Sequence, residues 1–339
     1  YEGYTVEIVP CYGGAGINSS VDRTPFHTEY VQAKTRDNPR LKSEIRLLKR
    51  FMKAQKVYGA EEKTRGFSGY LVEVLTIHYG SFLKVLEAAK DWSVGYALDP
   101  ENLWGDEKSL KYYFTKSAII VVDPVDKNRN MGAAVSRQKL AEFIIASREF
   151  LENPSIEFFF PPKKQGRPVE ELKRLLGVRG TYFIAFKFSH PQLNENLLYS
   201  QLRKTMASIE KSFEDREFRV FRPSFWSNEA DTSVILFEMT VHELPKIKHH
   251  PGPPVNSEPV HQERFHEKYE KDGPYILEGR WVVDTERKNT RVRQVAEKLE
   301  KTRDGFGKNL RKARVEILEG DEIFSIEHAD FLMHLDGIL

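Results

Sequence analysis

Hydrophobic residues recur every three or four positions between Leu41 and Tyr58, and this spacing predicts an amphipathic helix that ends before Gly59. Cations form a second stripe along one flank of the same helix: Lys42, Arg46, Lys49, Lys53 and Lys56. Such a charge run is either a solvated face or a surface for a polyanion, such as nucleotide phosphates or a nucleic-acid backbone. Few acids oppose the stripe on that face, and the pattern therefore favours the polyanion.

The apolar pattern continues after a glycine-containing loop. It predicts a second helix from Tyr70 to Leu86, for which Ser68 is a suitable N-cap. A short apolar run at 118–122 ends at Asp123-Pro124, and the polar residues that follow are expected to form a loop. Ser136 is expected to cap an amphipathic helix that extends to about Leu151.

Beyond Asn153-Pro154 the pattern changes, and a Pro- and Lys-rich segment at 161–168 indicates a domain boundary. The β-branched and aromatic runs predict strands, and a helical period predicts one helix between them; the strands are expected at 156–160, 181–188, 219–226 and 232–241, and the helix at 198–213. The Pro- and His-rich segment 249–259 is expected to be a loop rather than a metal site. This mixture predicts an α+β protein of several domains.

Composition narrows the class of protein. The chain has 339 residues, of which 30% are charged and 40% hydrophobic, which is ordinary for a globular protein with a real core. The net charge is only +2, so any affinity for nucleic acid must come from clustered patches. A single cysteine, Cys11, excludes an internal disulfide framework and fits a reducing cytoplasm. No apolar run approaches the ~20 residues that span a bilayer, and no secretory signal is present.

The first residues read as a β-strand already under way. The segment YTVEIVPCY follows Tyr1, Glu2 and Gly3, and the chain does not begin with methionine. Because a chain rarely starts inside an apolar strand, we expect an N-terminal piece to be missing.

Three ordered motifs carry a family resemblance. They are SSVDRTPFHTEY at 19–30, EIRLLKRFMKAQKVYGAE at 44–61 and KTRGFSGYLVEVLTIHYGSF at 63–82, with further echoes in VVDPVDKNRNMGAAVS at 121–136 and LEGRWVVDTER at 277–287. In order and spacing the chain resembles the archaeal, class I, CCA-adding enzymes. The likeness covers nearly the whole chain and is strongest up to about Phe150.

The resemblance implies a tRNA nucleotidyltransferase that adds CMP and AMP, from CTP and ATP, to the tRNA 3′ end by a two-metal mechanism with Mg²⁺. It places Glu7 at the third metal-binding carboxylate, where the family has an aspartate; the charge is kept and the arm is one methylene longer. The family's other two carboxylates, a D-x-D pair after a Gly-Ser loop, are not in this sequence. We therefore expect most of the catalytic head to be missing and the fragment to be inactive alone.

The resemblance also implies a nucleotide site. The residue matching His27 contacts the incoming nucleotide, and Arg129 helps to recognise the base through its planar donors. Lys49 is expected to neutralise triphosphate charge, while Tyr58 offers a ring and a hydroxyl. Taken without the family, His27 and Tyr58 would be read as structural residues.

A cationic region near the C-terminus is expected to grip the tRNA elbow, through Arg280, Arg287, Lys288, Arg291, Arg293, Lys308 and Arg311. The alternative is a salt-bridged helical surface, because acids are interspersed there. The expected domains are a head remnant at 1–20, a helical central (neck) domain at 21–153, an RRM-like body at 154–248 and 315–339, and a basic tRNA-binding tail at 249–314.

Two other functions stay open on the sequence. One is a tRNA-binding module without catalysis, and the other is a poly(A)-polymerase-like or oligoadenylate synthase-like nucleotidyltransferase. The expected partners are the tRNA acceptor stem and elbow together with ATP and CTP, in the cytoplasm and without a membrane. A homodimer is an outcome that the resemblance allows.

Overall fold

The structure is a computed structural model and describes residues 22–163 and 165–339. The chain divides into two compact units between residues 164 and 165, inside the Pro- and Lys-rich segment. The predicted head remnant at 1–20 lies outside the described residues. Each unit is described by itself below.

The first unit is mainly helical. Its elements are α1 (Arg23–Asp37), α2 (Leu41–Ala54), α3 (Gly69–Tyr79), α4 (Phe82–Ala89), β1 (Tyr96–Leu98), α5 (Glu107–Tyr113), β2 (Ile119–Asp123), β3 (Asp126–Asn130), α6 (Arg137–Glu152) and a 3-10 helix (Ile156–Phe158). The three strands form one small sheet in the order β1-β2-β3, parallel between β1 and β2 and antiparallel between β2 and β3.

The core of this unit is an aromatic cluster around Phe51 of α2, which is fully buried. Five phenylalanine rings surround it with centroids 5.5–6.5 Å away: Phe82, Phe143, Phe150, Phe158 and Phe159. Edge-to-face contacts of this kind add to the apolar area that each ring buries. The predicted apolar face of α2 thus supplies the centre of the core, while Lys42, Arg46 and Lys53 remain exposed.

Two predicted helix boundaries are wrong. Helix α2 ends at Ala54 rather than near Tyr58, since Lys56 takes a positive φ of 57° and Tyr58 forms a β-bridge with Phe67. The single helix expected from Tyr70 to Leu86 is two helices. Gly80 ends α3 with a φ of 86°, and the Ser81 hydroxyl caps α4 by accepting a hydrogen bond from the Lys84 amide. The capping residues Gly80 and Ser81 therefore divide a segment whose continuous apolar period predicted one helix.

The N-caps at Ser68 and Ser136 are confirmed; each hydroxyl accepts from a backbone amide three residues later, at 3.2 Å. Helix α1 starts at Arg23. The residues after Asp123-Pro124, expected to form a loop, are strand β3.

The second unit contains α7 (Val169–Val178), β4 (Tyr182–Ser189), α8 (Glu195–Glu214), β5 (Arg219–Ser227), β6 (Thr232–Val241), β7 (Ile247–Pro254), α9 (Pro259–Tyr269), β8 (Tyr275–Leu277), β9 (Arg280–Glu286), α10 (Val292–Thr302), β10 (Arg314–Glu319) and α11 (Ala329–Ile338). Short 3-10 helices lie at 270–272, 310–312 and 320–325. The larger sheet is antiparallel with strand order β10-β4-β6-β5, and β7-β9-β8 form a second antiparallel sheet.

Both faces of the larger sheet are covered. Alternate residues of β4 point to different cores: Phe186 packs with α8 and α10, whereas Phe183 packs with α7 and α11. Helix α10 lies within the predicted tail segment 249–314, but its Val295 and Leu299 side chains belong to the core of this sheet. The order of elements around the larger sheet is βαββαβ, with β7, α9, β8 and β9 inserted before α10.

Two further predictions are wrong. The aromatic run at 156–160 is not a strand but a 3-10 helix that packs on the Phe51 cluster. The Pro- and His-rich segment is not simply a loop, because its first part is the edge strand β7. Proline is tolerated at a sheet edge, where the missing N–H has no ladder partner. The mixed α+β class is confirmed. Among the residues that the structure describes, no helix has the length and apolar character to cross a bilayer.

Candidate functional site

The start of α3 is the point at which two predicted site residues meet. A Cβ atom on Gly69 would lie 2.9 Å from the Tyr58 hydroxyl and 3.8 Å from Lys49 Nζ. Glycine at this position therefore allows both side chains to approach the first turn of the helix. Lys49 projects from α2, and its Nζ donates to Glu73 Oε1 at 2.6 Å. Each side chain of this ion pair is 25% exposed, so the ammonium is accessible to a ligand.

Tyr58 is held in place by the backbone of the loop before α3. The Phe67 amide donates to the Val57 carbonyl, and the Gly59 amide donates to the Phe67 carbonyl, both at 2.8 Å. Gly66 fits between them because a Cβ there would lie 2.0 Å from the Val57 carbonyl oxygen. The loop is thus a rigid support for Tyr58 rather than a flexible linker.

His27 approaches the same helix start from α1. Its ring stacks on Tyr70, with centroids 3.7 Å apart and an angle of 20° between the rings. Tyr70 directly follows Gly69 in the chain. The first two residues of α3 therefore touch all three of the predicted residues His27, Lys49 and Tyr58.

A buried carboxylate, Asp123, joins His27 to Arg129. It lies at the end of β2 and is fully shielded from solvent. Its Oδ2 accepts from His27 Nε2 at 2.8 Å and from Arg129 Nη1 at 2.7 Å. Burial alone would raise the pKa of Asp123, but the hydrogen bonds from His27, the Val125 amide and Arg129 outweigh it and hold this pKa below its usual value. Asp123 is therefore ionised at neutral pH.

The β2–β3 hairpin fixes the direction of Arg129. Asn130 is buried, and its side-chain oxygen accepts from the amides of Val121 and Gly132 at 2.9 and 2.8 Å. Its amide nitrogen donates to the Ile119 carbonyl at 3.0 Å. With Asn130 locked inward, the neighbouring Arg129 points to the opposite face of the strand, where its side chain is 37% exposed.

The structure thus brings together the side chains predicted for the nucleotide site, from α1, α2, the loop before α3, and β3. Positive groups line a partly exposed surface around a helix start, an arrangement suited to an anion next to a planar group. Sequence reasoning missed Asp123, Tyr70 and Glu73, which hold these side chains in place. The only local signal for Asp123 was an acid at the end of an apolar run, because His27, its partner, lies 96 residues away.

The predicted tRNA-binding residues of the second unit are spread over its surface. Arg287 and Lys288 line a cleft of about 490 Å³ together with Lys248 and Lys298. Arg287 is already paired with Glu217. Arg280, Lys308 and Arg311 are exposed elsewhere on the unit.

The remaining two residues of this set are also paired with acids. Arg291 pairs with Glu243 at 3.1 Å. Arg293 contacts Glu297 and Glu319 at 3.0 and 2.9 Å, and these hydrogen bonds raise its pKa. In part of the expected basic tail, the cations are therefore paired with acids, as the alternative interpretation of a salt-bridged surface predicted.

The predicted metal ligand Glu7 lies outside the described residues. Within 22–163 and 165–339, no group of three or more His, Cys, Asp or Glu side chains has the geometry to hold a metal ion. The described side chains therefore do not fit the metal that the resemblance implies, and we assign no chemical step to one.

Comparison with known proteins identifies the family. The family model described as tRNA nucleotidyltransferase, second domain, matches residues 43–160, and the one described as CCA-adding enzyme, C-terminal domain, matches residues 179–320. Curated CCA-adding enzymes are also similar. That of Methanothermobacter thermautotrophicus is 37% identical over 100% of this chain and 74% of its own length. Those of Methanosarcina mazei and Methanoregula boonei are 34% and 35% identical, over 99% and 98% of this chain and 73% and 71% of theirs.

These alignments cover nearly all of this chain, and the chain spans about three quarters of the length of these curated relatives. The two family models together match most of both structural units. On these matches the chain belongs to the family of CCA-adding enzymes, the nucleotidyltransferases that add CCA to tRNA.

Proposed function

We propose that the start of α3 is the nucleotide site of this CCA-adding enzyme and binds CTP and ATP through His27, Lys49, Tyr58 and Arg129. The observation that carries the proposal is that His27, Lys49 and Tyr58, from three separate segments, meet at the first turn of α3. Arg129, from a fourth segment, shares the Asp123 carboxylate with His27. Residues with unrelated structural roles would have no reason to meet there.

Charge and shape assign a part to each residue. Lys49 supplies a positive charge for the triphosphate and can exchange Glu73 for a phosphate oxygen, since the pair is partly exposed. The Tyr58 hydroxyl lies beside Lys49 and can donate a hydrogen bond to the nucleotide. Arg129 presents the donors of a planar guanidinium, which can pair with the edge of a base. His27 lies between these two parts, stacked on Tyr70.

Nucleotide binding by the full chain tests the proposal. Dissociation constants for CTP and ATP with Mg²⁺ are measured by calorimetry for the wild type and for His27→Ala, Tyr58→Phe and Arg129→Ala. The matched control is Arg23→Ala, on the same helix as His27, because Arg23 pairs with Asp126. We expect each site variant to weaken binding at least about fivefold, or roughly 1 kcal/mol, and the control to stay within twofold. Wild-type affinity in all three site variants would contradict the proposal.

The proposal extends to catalysis through base selection. With a tRNA that lacks CCA, incorporation of labelled CMP and AMP is measured with CTP and ATP offered separately and together. In an enzyme with a complete catalytic head, Arg129→Ala is expected to blur the discrimination between CTP and ATP. Unchanged selectivity would remove Arg129 from base recognition while leaving the other contacts in place. Mg²⁺ remains part of the proposal as the family's metal, with Glu7 as a proposed ligand.

We also propose that the exposed cations of the second unit bind the tRNA acceptor stem and elbow. Support comes from the cluster of Lys248, Lys288 and Lys298 around one cleft and from the βαββαβ order, which is RRM-like. Because helices cover both faces of the sheet, the surface offers phosphate and shape recognition rather than stacked bases. Filter binding of tRNA and of an unrelated RNA over a range of salt concentrations distinguishes recognition of tRNA from general binding to RNA phosphates.

A further inference from the structure

One carboxylate oxygen in the first unit receives two nitrogen donors. Asp123 Oδ2 lies 2.8 Å from His27 Nε2 and 2.7 Å from Arg129 Nη1. The two nitrogens lie 3.1 Å from each other. Three groups this close can form only certain hydrogen bonds, and those bonds determine where the protons are.

The donor inventory leaves one arrangement. A guanidinium only donates, and an ionised carboxylate only accepts. Nε2 must therefore carry a proton in order to bond Asp123. The short approach between Nε2 and Nη1 is then a contact of two donors that share one acceptor, not a hydrogen bond between them.

The second oxygen of Asp123 prevents the carboxylate from turning. Oδ1 accepts from the Val125 amide at 3.1 Å and lies 3.4 Å from the Tyr70 hydroxyl. Burial, and then the Asp123 charge, raise the pKa of Tyr70, so this hydroxyl keeps its proton and remains a donor. Tyr70 also covers one face of the imidazole. The ring of His27 is thus restrained by a stack on one face and a hydrogen bond at Nε2.

We infer that Asp123 is a positioning residue for the nucleotide site: it holds His27 as the Nε2–H tautomer, aims Arg129, and leaves His27 Nδ1 as the nitrogen available to the nucleotide. In the part of the chain that the structure describes, Nδ1 has no hydrogen-bond partner. The inference rests on the proposed function, since it concerns the same site. Without the carboxylate, His27 could carry its proton on Nδ1 and accept at Nε2 from Arg129 Nη1, so the tautomer would no longer be fixed.

The first experiment reads the tautomer directly in the wild-type chain. With ¹⁵N-labelled histidine, NMR correlations distinguish a protonated Nε2 from a protonated Nδ1, and His27→Gln identifies the signal by its loss. We expect His27 to show a protonated Nε2 in the absence of nucleotide. A neutral His27 with the proton on Nδ1 would overturn the inference, and this reading requires no Asp123 variant to fold.

The second experiment uses Asp123→Asn, which keeps the shape but replaces one acceptor oxygen by an NH₂ donor. The matched control is Asp126→Asn on the same hairpin, because Asp126 pairs with Arg23 instead. For the full chain with Mg²⁺ we expect Asp123→Asn to raise the dissociation constants for CTP and ATP about tenfold and to mix the His27 tautomers. The control is expected to change the affinity less than twofold and to leave the His27 signal unaltered.

The outcomes separate this inference from the proposed function. If His27→Ala and Arg129→Ala weaken nucleotide binding but Asp123→Asn leaves affinity and tautomer unchanged, the positioning role is wrong and the site stands. If none of the three variants alters nucleotide affinity, the site itself is wrong. The NMR signal then still shows whether Asp123 fixes the His27 ring.

Discussion

Each unit of the protein contains a buried carboxylate that accepts hydrogen bonds from two nitrogen-bearing side chains, and the two carboxylates have different surroundings. In the first unit, Asp123 holds His27 and Arg129, which remain partly exposed. In the second unit, Glu238 on β6 is 1% exposed and accepts from Arg179 at 2.7 Å and Arg222 at 3.0 Å.

The difference lies in what else these side chains contact. Arg179 and Arg222 also donate to the carbonyls of Leu339 and Ile338, so the Glu238 cluster ties α7 and β5 to the last residues of the chain. Around Asp123, the His27 and Arg129 side chains make no backbone hydrogen bond among the described residues and face a partly open surface at a helix start. A buried carboxylate whose partners also bind backbone carbonyls stabilises the fold, whereas one whose partners lack such contacts leaves their polar atoms for a ligand.

Removal of Glu238 should give the largest effect. Glu238→Ala removes the buried carboxylate that two guanidinium groups share. Because both guanidinium groups are partly exposed, we expect the unit to lose about 2–3 kcal/mol of unfolding free energy. Urea unfolding measures it, and CTP affinity under native conditions should stay within twofold. Asp215→Ala removes an exposed ion pair with Lys211 and should cost less than about 1 kcal/mol. A large loss of CTP affinity in a folded Glu238→Ala protein would contradict the structural role.

Lowering the pH should gradually remove the stabilisation that ionised Glu238 gives the folded unit. Burial raises the pKa of Glu238, but hydrogen bonds from Arg179, Thr181 and Arg222 outweigh it and lower this pKa in the folded state. A group whose folded pKa is lowered stabilises above its unfolded pKa, here about 4.5, and loses that contribution as the pH falls through the folded value. The stability difference between wild type and Glu238→Gln should therefore be full at pH 7 and shrink below about pH 4.5. A difference that is constant from pH 7 to pH 3 would mean that Glu238 does not titrate in this way.

Lys49→Ala tests the proposed nucleotide site of the first unit. The substitution removes a positive charge next to the start of α3. We expect CTP and ATP to bind about tenfold more weakly, or roughly 1.4 kcal/mol, with a nearly unchanged free energy of unfolding. Lys42→Ala is the matched control, because it lies on the same helix and in the same cationic stripe but is exposed. Equal effects of the two variants would indicate a diffuse charge effect rather than a site.

The sequence carried much of this site and little of the reason for its geometry. The helical period of α2 is a local signal that placed Lys49 in a cationic stripe, and the family resemblance assigned it to the nucleotide site. Asp123 could not be recognised, because its role depends on His27 and on burial by distant elements. Two other elements were missed for different reasons. The helix break at Gly80 was missed because local capping overrode a continuous apolar period. The strand at 247–254 was missed because a sheet edge tolerates a proline-rich composition.

The smallest expected effect separates free from neutralised cations on the second unit. Lys288 is exposed and has no ion pair among the residues described, whereas Arg293 already contacts three carboxylates. Each cation that replaces a counterion on an RNA phosphate contributes about 0.7–0.9 to the slope of log affinity against log salt. Lys288→Ala should therefore lower tRNA affinity two- to threefold and reduce this slope by nearly one.

Arg293→Ala provides the contrast, because its charge is already balanced by Glu297, Glu319 and Glu322. Its tRNA affinity is compared with that of Lys288→Ala by filter binding between about 50 and 200 mM salt, a range over which phosphate contacts change the affinity strongly. We expect the Arg293 variant to keep the wild-type slope of log affinity against log salt. The Arg293 side chain binds carboxylates of the protein, so its removal frees those carboxylates and breaks no contact with an RNA phosphate. If its slope falls as far as that of Lys288→Ala, tRNA displaces the carboxylates, and the paired cations of this unit bind RNA as well as the free ones.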